Sequence, residues 1–134
     1  MEVVLDSNVF FRTLISSGEI VELFFNKNLK IFAPEKLKEE FLKNKSEIID
    51  KSRIPKPEFD EFVSLIFEKV NWIPLDQYFS SIKKAKELLK NHEKDEDFIA
   101  LCLEKNIKLW TYEKLLFNIG FGISTREISE ELSK

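Results

Sequence analysis

Residues 95–111 read DEDFIALCLEKNIKLWT, and how this stretch folds decides how the chain around it folds. It opens on three consecutive acids, Asp95, Glu96 and Asp97, and then turns almost wholly apolar before the strand-like run Ile107 to Thr111. The apolar segment reads as a buried helix. Its acids have a structural use, since Asp is a good N-cap and carboxylates in a first turn offset the positive end of the helix dipole. They also have a chemical one: acids held at the edge of a core are how a protein holds a divalent cation. A helix feeding straight into a strand is part of a β–α–β pattern, and the rest of the chain supplies the other parts.

Upstream, EVVLDS (residues 2–7) is a Val-rich apolar run ending in an acid and small polar residues, the pattern of a buried strand. Two helices follow over residues 7–16 and 19–28, divided by Ser16, Ser17 and Gly18. LKIFA (29–33) is the next strand, stopped by Pro34. The segment from Pro34 to Lys51 has proline at a helix start, acids early and lysines late, as the dipole prefers. After a break at RIPKP (53–57), a helix from about Glu58 carries Phe59, Phe62, Ile66 and Val70 on one stripe. VNWIP (70–74) predicts a strand and Asp76 to about Lys90 a helix. Beyond Thr111 come a short helix near 113–118, a strand in FGIST (121–125) and a helix from Thr125. This alternation predicts an α/β fold: a three-layer α/β/α sandwich around a central, mostly parallel sheet. Ligands of such sheets bind beyond the carboxyl ends of the strands, near a topological switch point, so acids at strand ends carry information.

At 134 residues the chain has the size of one domain with a real core, expected to span 1–134. With 43% hydrophobic residues and only 3 Gly and 4 Pro it is far from the disordered class. No apolar run approaches the roughly 18 residues a membrane helix needs. The start, MEVVLDSNVF, has an acid where a signal peptide wants lysines, and Cys102 is the only cysteine, so no intramolecular disulfide forms and a cytoplasmic location is expected. A net charge of −3 argues against a protein that grips duplexes. It leaves a nuclease open, because catalytic acids are counted in that total and their metals are not.

Asp6 ends the first strand, Glu40 lies in the helix after IFAP, Asp95 and Asp97 open the apolar helix, and Glu113 lies two residues past Thr111. Acids scattered along the chain thus fall at one predicted edge of the sheet. Carboxylates brought together repel, which raises their pKa values and costs stability unless cations neutralise them. Mg²⁺ and Mn²⁺ accept such oxygen ligands, and two such ions suit in-line attack on a phosphodiester.

Three blocks, in order and over essentially the whole chain, resemble those of the PIN-domain ribonucleases. VVLDSNVFF resembles that family's opening strand ending in Asp-Thr/Ser-Asn, with Asp6 at the first acidic position. APEKLKEEFLK resembles the second block, where a Glu falls six residues after the proline-like position; here it is Glu40. DEDFIALCLEKNIKLWTYEK resembles the third, an Asp five residues before a helix alanine and then a strand ending in Thr-x-Asp. Counting back from Ala100 gives Asp95, and Thr111 and Glu113 fill the last positions. Glu113 departs from the family's usual Asp by one methylene at the same charge. The resemblance implies a PIN-like fold and a Mg²⁺- or Mn²⁺-dependent endoribonuclease using one or two ions. Its catalytic acids would be Asp6, Glu40, Asp95 and Glu113. Asp6, Asp95 and Glu113 would hold metal, and Asp97 is a further candidate, although two positions from Asp95 on a helix it points about 200° away. Single-stranded RNA is the expected substrate, because an A-form groove does not readily deliver its backbone to recessed acids. Small PIN proteins of the VapC type are toxins of toxin–antitoxin pairs, so the resemblance also implies a small antitoxin partner and a homodimer.

Ser7, Asn8 and Thr111 are candidates for orienting Asp6 or a bound water; satisfying backbone groups where strand meets helix is the alternative. Glu39 is the decoy beside Glu40, set apart because Leu37 and Phe41 as core residues draw Glu40 toward their face. His92, between Asn91 and Glu93, reads as solvated rather than as a general base. Lys36, Lys38, Lys43 and Lys45, with Lys83, Lys84, Lys86 and Lys90, spread over more than one helical face and fit a solubilising role. Arg12 and Lys114, close in sequence to the acids, are the candidates for phosphate contact. Phe10 and Phe11 read as core, with a partner subunit as the alternative. Two rival functions stand beside the nuclease. One is a PIN-like scaffold that binds RNA or protein without cutting, motivated by Glu113 and the net charge. The other is a phosphatase with Asp6 as nucleophile, for which Asn8 stands where a second Asp is wanted.

Overall fold

Val3, Val4 and Leu5 have no solvent exposure, and a strand buried on both faces demands helices on both. In the computed structural model, which describes residues 1–16, 18–90 and 92–134, they lie in β1 (Glu2–Leu5), the middle strand of a sheet of five. The others are β2 (Lys30–Pro34), β3 (Val70–Ile73), β4 (Lys108–Trp110) and β5 (Gly122–Ile123). Their order is β3-β2-β1-β4-β5 and every pair is parallel, one step beyond the mostly parallel expectation. Val4 sits opposite both Phe32 and Leu109, and Leu5 opposite Trp110.

The helices are α1 (Ser7–Ile15), α2 (Glu19–Phe24), α3 (Lys36–Ser52), α4 (Lys56–Lys69), α5 (Ile82–Leu89), α6 (Glu96–Lys105), α7 (Lys114–Asn118) and α8 (Thr125–Leu132). Right-handed crossovers place α1 to α4, which carry the chain from β1 through β2 to β3, on one face. The return across the sheet to β4 puts α5 and α6 on the other. Accordingly α6 packs on β1, β2 and β4 with α5 against it, while α1 packs on α3 and α4 on α3 and β3. Phe98 to Cys102 of α6 are all buried, which is why this helix is apolar nearly all round. On the other face Phe10 meets the rings of Phe11, Phe41, Phe67 and Trp72 at 5.7, 6.1, 6.1 and 6.2 Å, mostly edge-on, tying α1, α3, α4 and β3 into one cluster. Phe10 is therefore core.

Three elements differ from the sequence expectation. The helix expected to reach residue 28 stops at Phe24, where Asn26 turns the chain into β2 by accepting from the Asn28 and Leu29 backbone N–H groups. The helix expected from Glu58 begins at Lys56, because Pro55 and Pro57 sit at its mouth, where a missing N–H costs nothing. The helix expected from Asp76 is two single 3₁₀ turns, Leu75–Gln77 and Phe79–Ser81, before α5 starts at Ile82. Ser80 and Ser81 instead turn their hydroxyls to Glu104 of α6, at 3.3 and 2.6 Å. Within the expected break at Ser16 to Gly18, Gly18 has φ +85 and Ser17 lies outside the described residues, as does Asn91 beside His92. Among the described residues no helix is long and apolar enough to cross a membrane.

Candidate metal centre

The strand order reverses between β1 and β4, so the connections leaving these neighbours diverge and open a crevice at their carboxyl ends. Asp6 follows β1 directly and Thr111 follows β4. The Asp6 N–H donates to the Trp110 carbonyl at 3.1 Å, carrying the ladder one residue further. Asp6 is fully buried, and both its oxygens are held. Oδ1 accepts from the Ser7 N–H at 2.8 Å, capping α1, and Oδ2 accepts from the Thr111 hydroxyl at 2.6 Å. The Thr111 oxygen itself accepts from the Glu113 N–H at 3.1 Å, so its own proton is directed to Asp6. Asn8 Nδ2 donates to Glu113 Oε1 at 3.2 Å. The residues just after β1 and just after β4 thus hold one another in place.

Asp95 arrives from a third segment. A 3₁₀ turn, Glu93–Asp95, leads into α6, and Asp95 stands at the N-cap position without making a side-chain cap bond. Its residue is 3% exposed and its Oδ2 has no hydrogen-bond partner. A buried carboxylate oxygen left without a donor is expensive, and helix capping does not explain it here. One carboxylate oxygen from each of Asp6, Asp95 and Glu113 lies within 4.8 Å of the others. Three carboxylates, two of them buried, with an orphaned oxygen among them, are a donor set that fits a hard divalent cation such as Mg²⁺ or Mn²⁺.

The electrostatics carry the same strain. Burial raises the Asp6 carboxyl above its usual range and the Glu113 charge adds to this, against the Thr111 and Ser7 hydrogen bonds. Asp95 is pushed up to about 7 by burial first, then by the charges of Glu113 and Asp6, with Lys94 opposing. Glu40 is also raised, chiefly by burial; the nearby Lys36 charge and the Ser7 hydroxyl oppose the rise, and Asp6 and Asp97 add to it.

Glu40 comes to this edge because α3 starts at the end of β2 and buries Leu37 and Phe41, leaving Glu40 half-buried and Glu39 exposed. It feels the Asp6 charge but is not one of the three clustered carboxylates. Asp97 is not one of them either: it accepts from the Tyr78 hydroxyl at 2.6 Å and pairs with Lys36 at 3.5 Å. Arg12 is exposed and lies over the Tyr112 ring, 5.6 Å from its centroid; Lys114 and His92 are exposed. Sequence reasoning missed Tyr78, whose partner lies 19 residues away on another element, and Lys94, whose charge reaches both Asp6 and Asp95. No local pattern signals the first. The second was legible as the lysine next to Asp95.

Residues 4–133 match the model of the PIN domain family. The chain belongs to that family, whose members are generally nucleases that use divalent metals. No curated protein matches it closely enough to add a relative.

Proposed function

We propose that the protein is a Mg²⁺- or Mn²⁺-dependent endoribonuclease that hydrolyses phosphodiester bonds of single-stranded RNA, with the cation held by Asp6, Asp95 and Glu113. The observation that carries this reading is the buried Asp95 oxygen without a partner, on a carboxyl grouped with those of Asp6 and Glu113, one oxygen of each lying within 4.8 Å of the others. A divalent cation, when bound, supplies positive charge for the phosphodiester oxygens and makes a water molecule more acidic. The chain's own residues set the geometry. Thr111 and the Ser7 N–H fix the Asp6 carboxylate, and Asn8 fixes that of Glu113. Glu40 holds a proton more readily than a solvated glutamate and is the candidate for carrying one to or from the reaction. Arg12 and Lys114, both exposed, are the candidates for contact with phosphates along the strand. The acids are recessed, which favours a flexible single strand over an A-form helix.

The extra methylene of Glu113 leaves its carboxylate within the set, which supports the nuclease over the non-cutting scaffold that Glu113 and the net charge motivate. For the phosphatase, Asn8 occupies itself with Glu113 and supplies no acid. The VapC-type resemblance extends the reading to a cytoplasmic toxin whose small antitoxin covers the cleft, and to a homodimer; a monomeric mass in solution counts against the dimer. The deciding experiment is cleavage of a mixed-sequence single-stranded RNA in Mn²⁺ by wild type, Asp6→Asn and Asp95→Asn. Cutting by wild type alone, abolished by chelator, is expected. Equal cutting by all three sinks the assignment.

A further inference from the structure

Outside the three clustered carboxylates, further acids lie near this edge of the sheet, among them Glu40 and Asp97, and the Lys36 ammonium acts on both: it pairs with Asp97 at 3.5 Å and its charge reaches Glu40. Lys36 is the first residue of α3 and Glu40 lies one turn further along, so the two share a helix face as i and i+4 neighbours. From the other side, Asp97 of α6 pairs with the Lys36 ammonium through Oδ1 at 3.5 Å. The remaining Asp97 oxygen is taken by the hydroxyl of Tyr78, a residue 1% exposed, at 2.6 Å. Asp97 therefore has both oxygens committed to protein donors, whereas Asp95 has one with no donor at all. The two acids of one motif, two positions apart, face opposite situations: one keeps a buried oxygen without a donor, and the other has a donor on each oxygen.

We propose that Lys36 stands in the place of a second cation. The Asp6, Asp95 and Glu113 set then takes a single divalent ion, and the Lys36 ammonium, paired with the Asp97 that Tyr78 holds, supplies a second positive charge beside Glu40. This rests on the metal-dependent reading above. It assigns Asp97 to positioning a lysine rather than to ligation, and it separates Lys36 from the solvated lysines of the helix surfaces.

Counting bound Mn²⁺ per chain tests it without RNA, by titrating the protein and reading free ion from its electron paramagnetic resonance signal. Wild type is expected to take up one ion. Lys36→Gln, which keeps the length and removes the charge, is expected to take up two, because Glu40 and Asp97 are released to a second ion. Lys36→Arg keeps the charge and the count of one, and adding Asp97→Asn to Lys36→Gln returns the count to one. The side chain of Lys36 is 39% exposed, so these variants keep the fold, which circular dichroism checks. Two ions on wild type, or one on Lys36→Gln, overturns the inference and leaves the metal reading standing. No ion on wild type overturns that reading itself, and this inference with it.

Discussion

Replacing Asp95 by Asn stabilises the ion-free protein, by an amount that grows as pH rises above about 4 and is complete above about 7. The Asp95 carboxyl rises from its ordinary 3.8 to about 7 on folding. The folded chain therefore binds this proton more tightly than the unfolded one, and stability falls as pH rises between those two values. Below about pH 4 both states are protonated and the group costs nothing. Above about pH 7 the full difference is felt, and at about 1.4 kcal/mol per pH unit it amounts to roughly 4 kcal/mol. An asparagine has no proton to lose and adds an NH₂ donor beside Asp6 and Glu113. In chelator, urea unfolding followed by the fluorescence of the buried Trp110 should show wild type and Asp95→Asn within about 1 kcal/mol at pH 4.5. At pH 8 the variant should be more stable by several kcal/mol, which at this size is on the order of 10 °C in Tm. Excess Mn²⁺ should close this gap, since wild type gains about 2.7 kcal/mol at a hundred times its Kd and about 4.1 kcal/mol at a thousand times, while the variant gains little. A difference between the two proteins that stays constant from pH 4.5 to pH 8 would refute the argument.

Thr111→Val keeps the shape but removes the 2.6 Å bond to Asp6 and the acceptor for the Glu113 N–H, so about 1–3 kcal/mol of stability and most of the cleavage rate should be lost. Thr111→Ser should retain both, read by urea titration and RNA turnover. Tyr78→Phe leaves Asp97 Oδ2 without its donor and should lower the urea midpoint by the equivalent of about 1–2 kcal/mol. Phe10→Ala opens a cavity against four other rings and should cost about 3–5 kcal/mol in the same titration.

The centre of the sheet was legible because a strand covered on both faces cannot alternate polar and apolar residues. EVVL and KIFA announce themselves in this way, and the order of helices between them leaves little freedom of topology. An acid at the end of such a strand is legible for the same reason, since nothing in a core asks for Asp6. Glu40 was separable from Glu39 by its position between Leu37 and Phe41, a matter of helical phase. The ends of elements were not legible. The second 3₁₀ turn, Phe79–Ser81, is tied to Glu104, which accepts from the Ser80 and Ser81 hydroxyls across from another helix. The roles of Asp95 and Asp97 were ambiguous because local rules treat both as helix-opening acids. Only the arrival of Tyr78 and Lys36 at one of them, and of no donor at Oδ2 of the other, tells them apart.

The hydrogen bonds from Thr111 to Asp6 and from Asn8 to Glu113 each span 105 residues of chain. As the polypeptide emerges from the ribosome, β1 has to wait with one hydrogen-bonding edge unfilled until β4 has been made. The nascent chain thus holds no assembled acid cluster until β4 and Glu113 have been made. A polypeptide cut short before residue 108 carries Asp6, Glu40 and Asp95 but lacks Glu113 and cannot bring the strand ends together, so its acids stay apart.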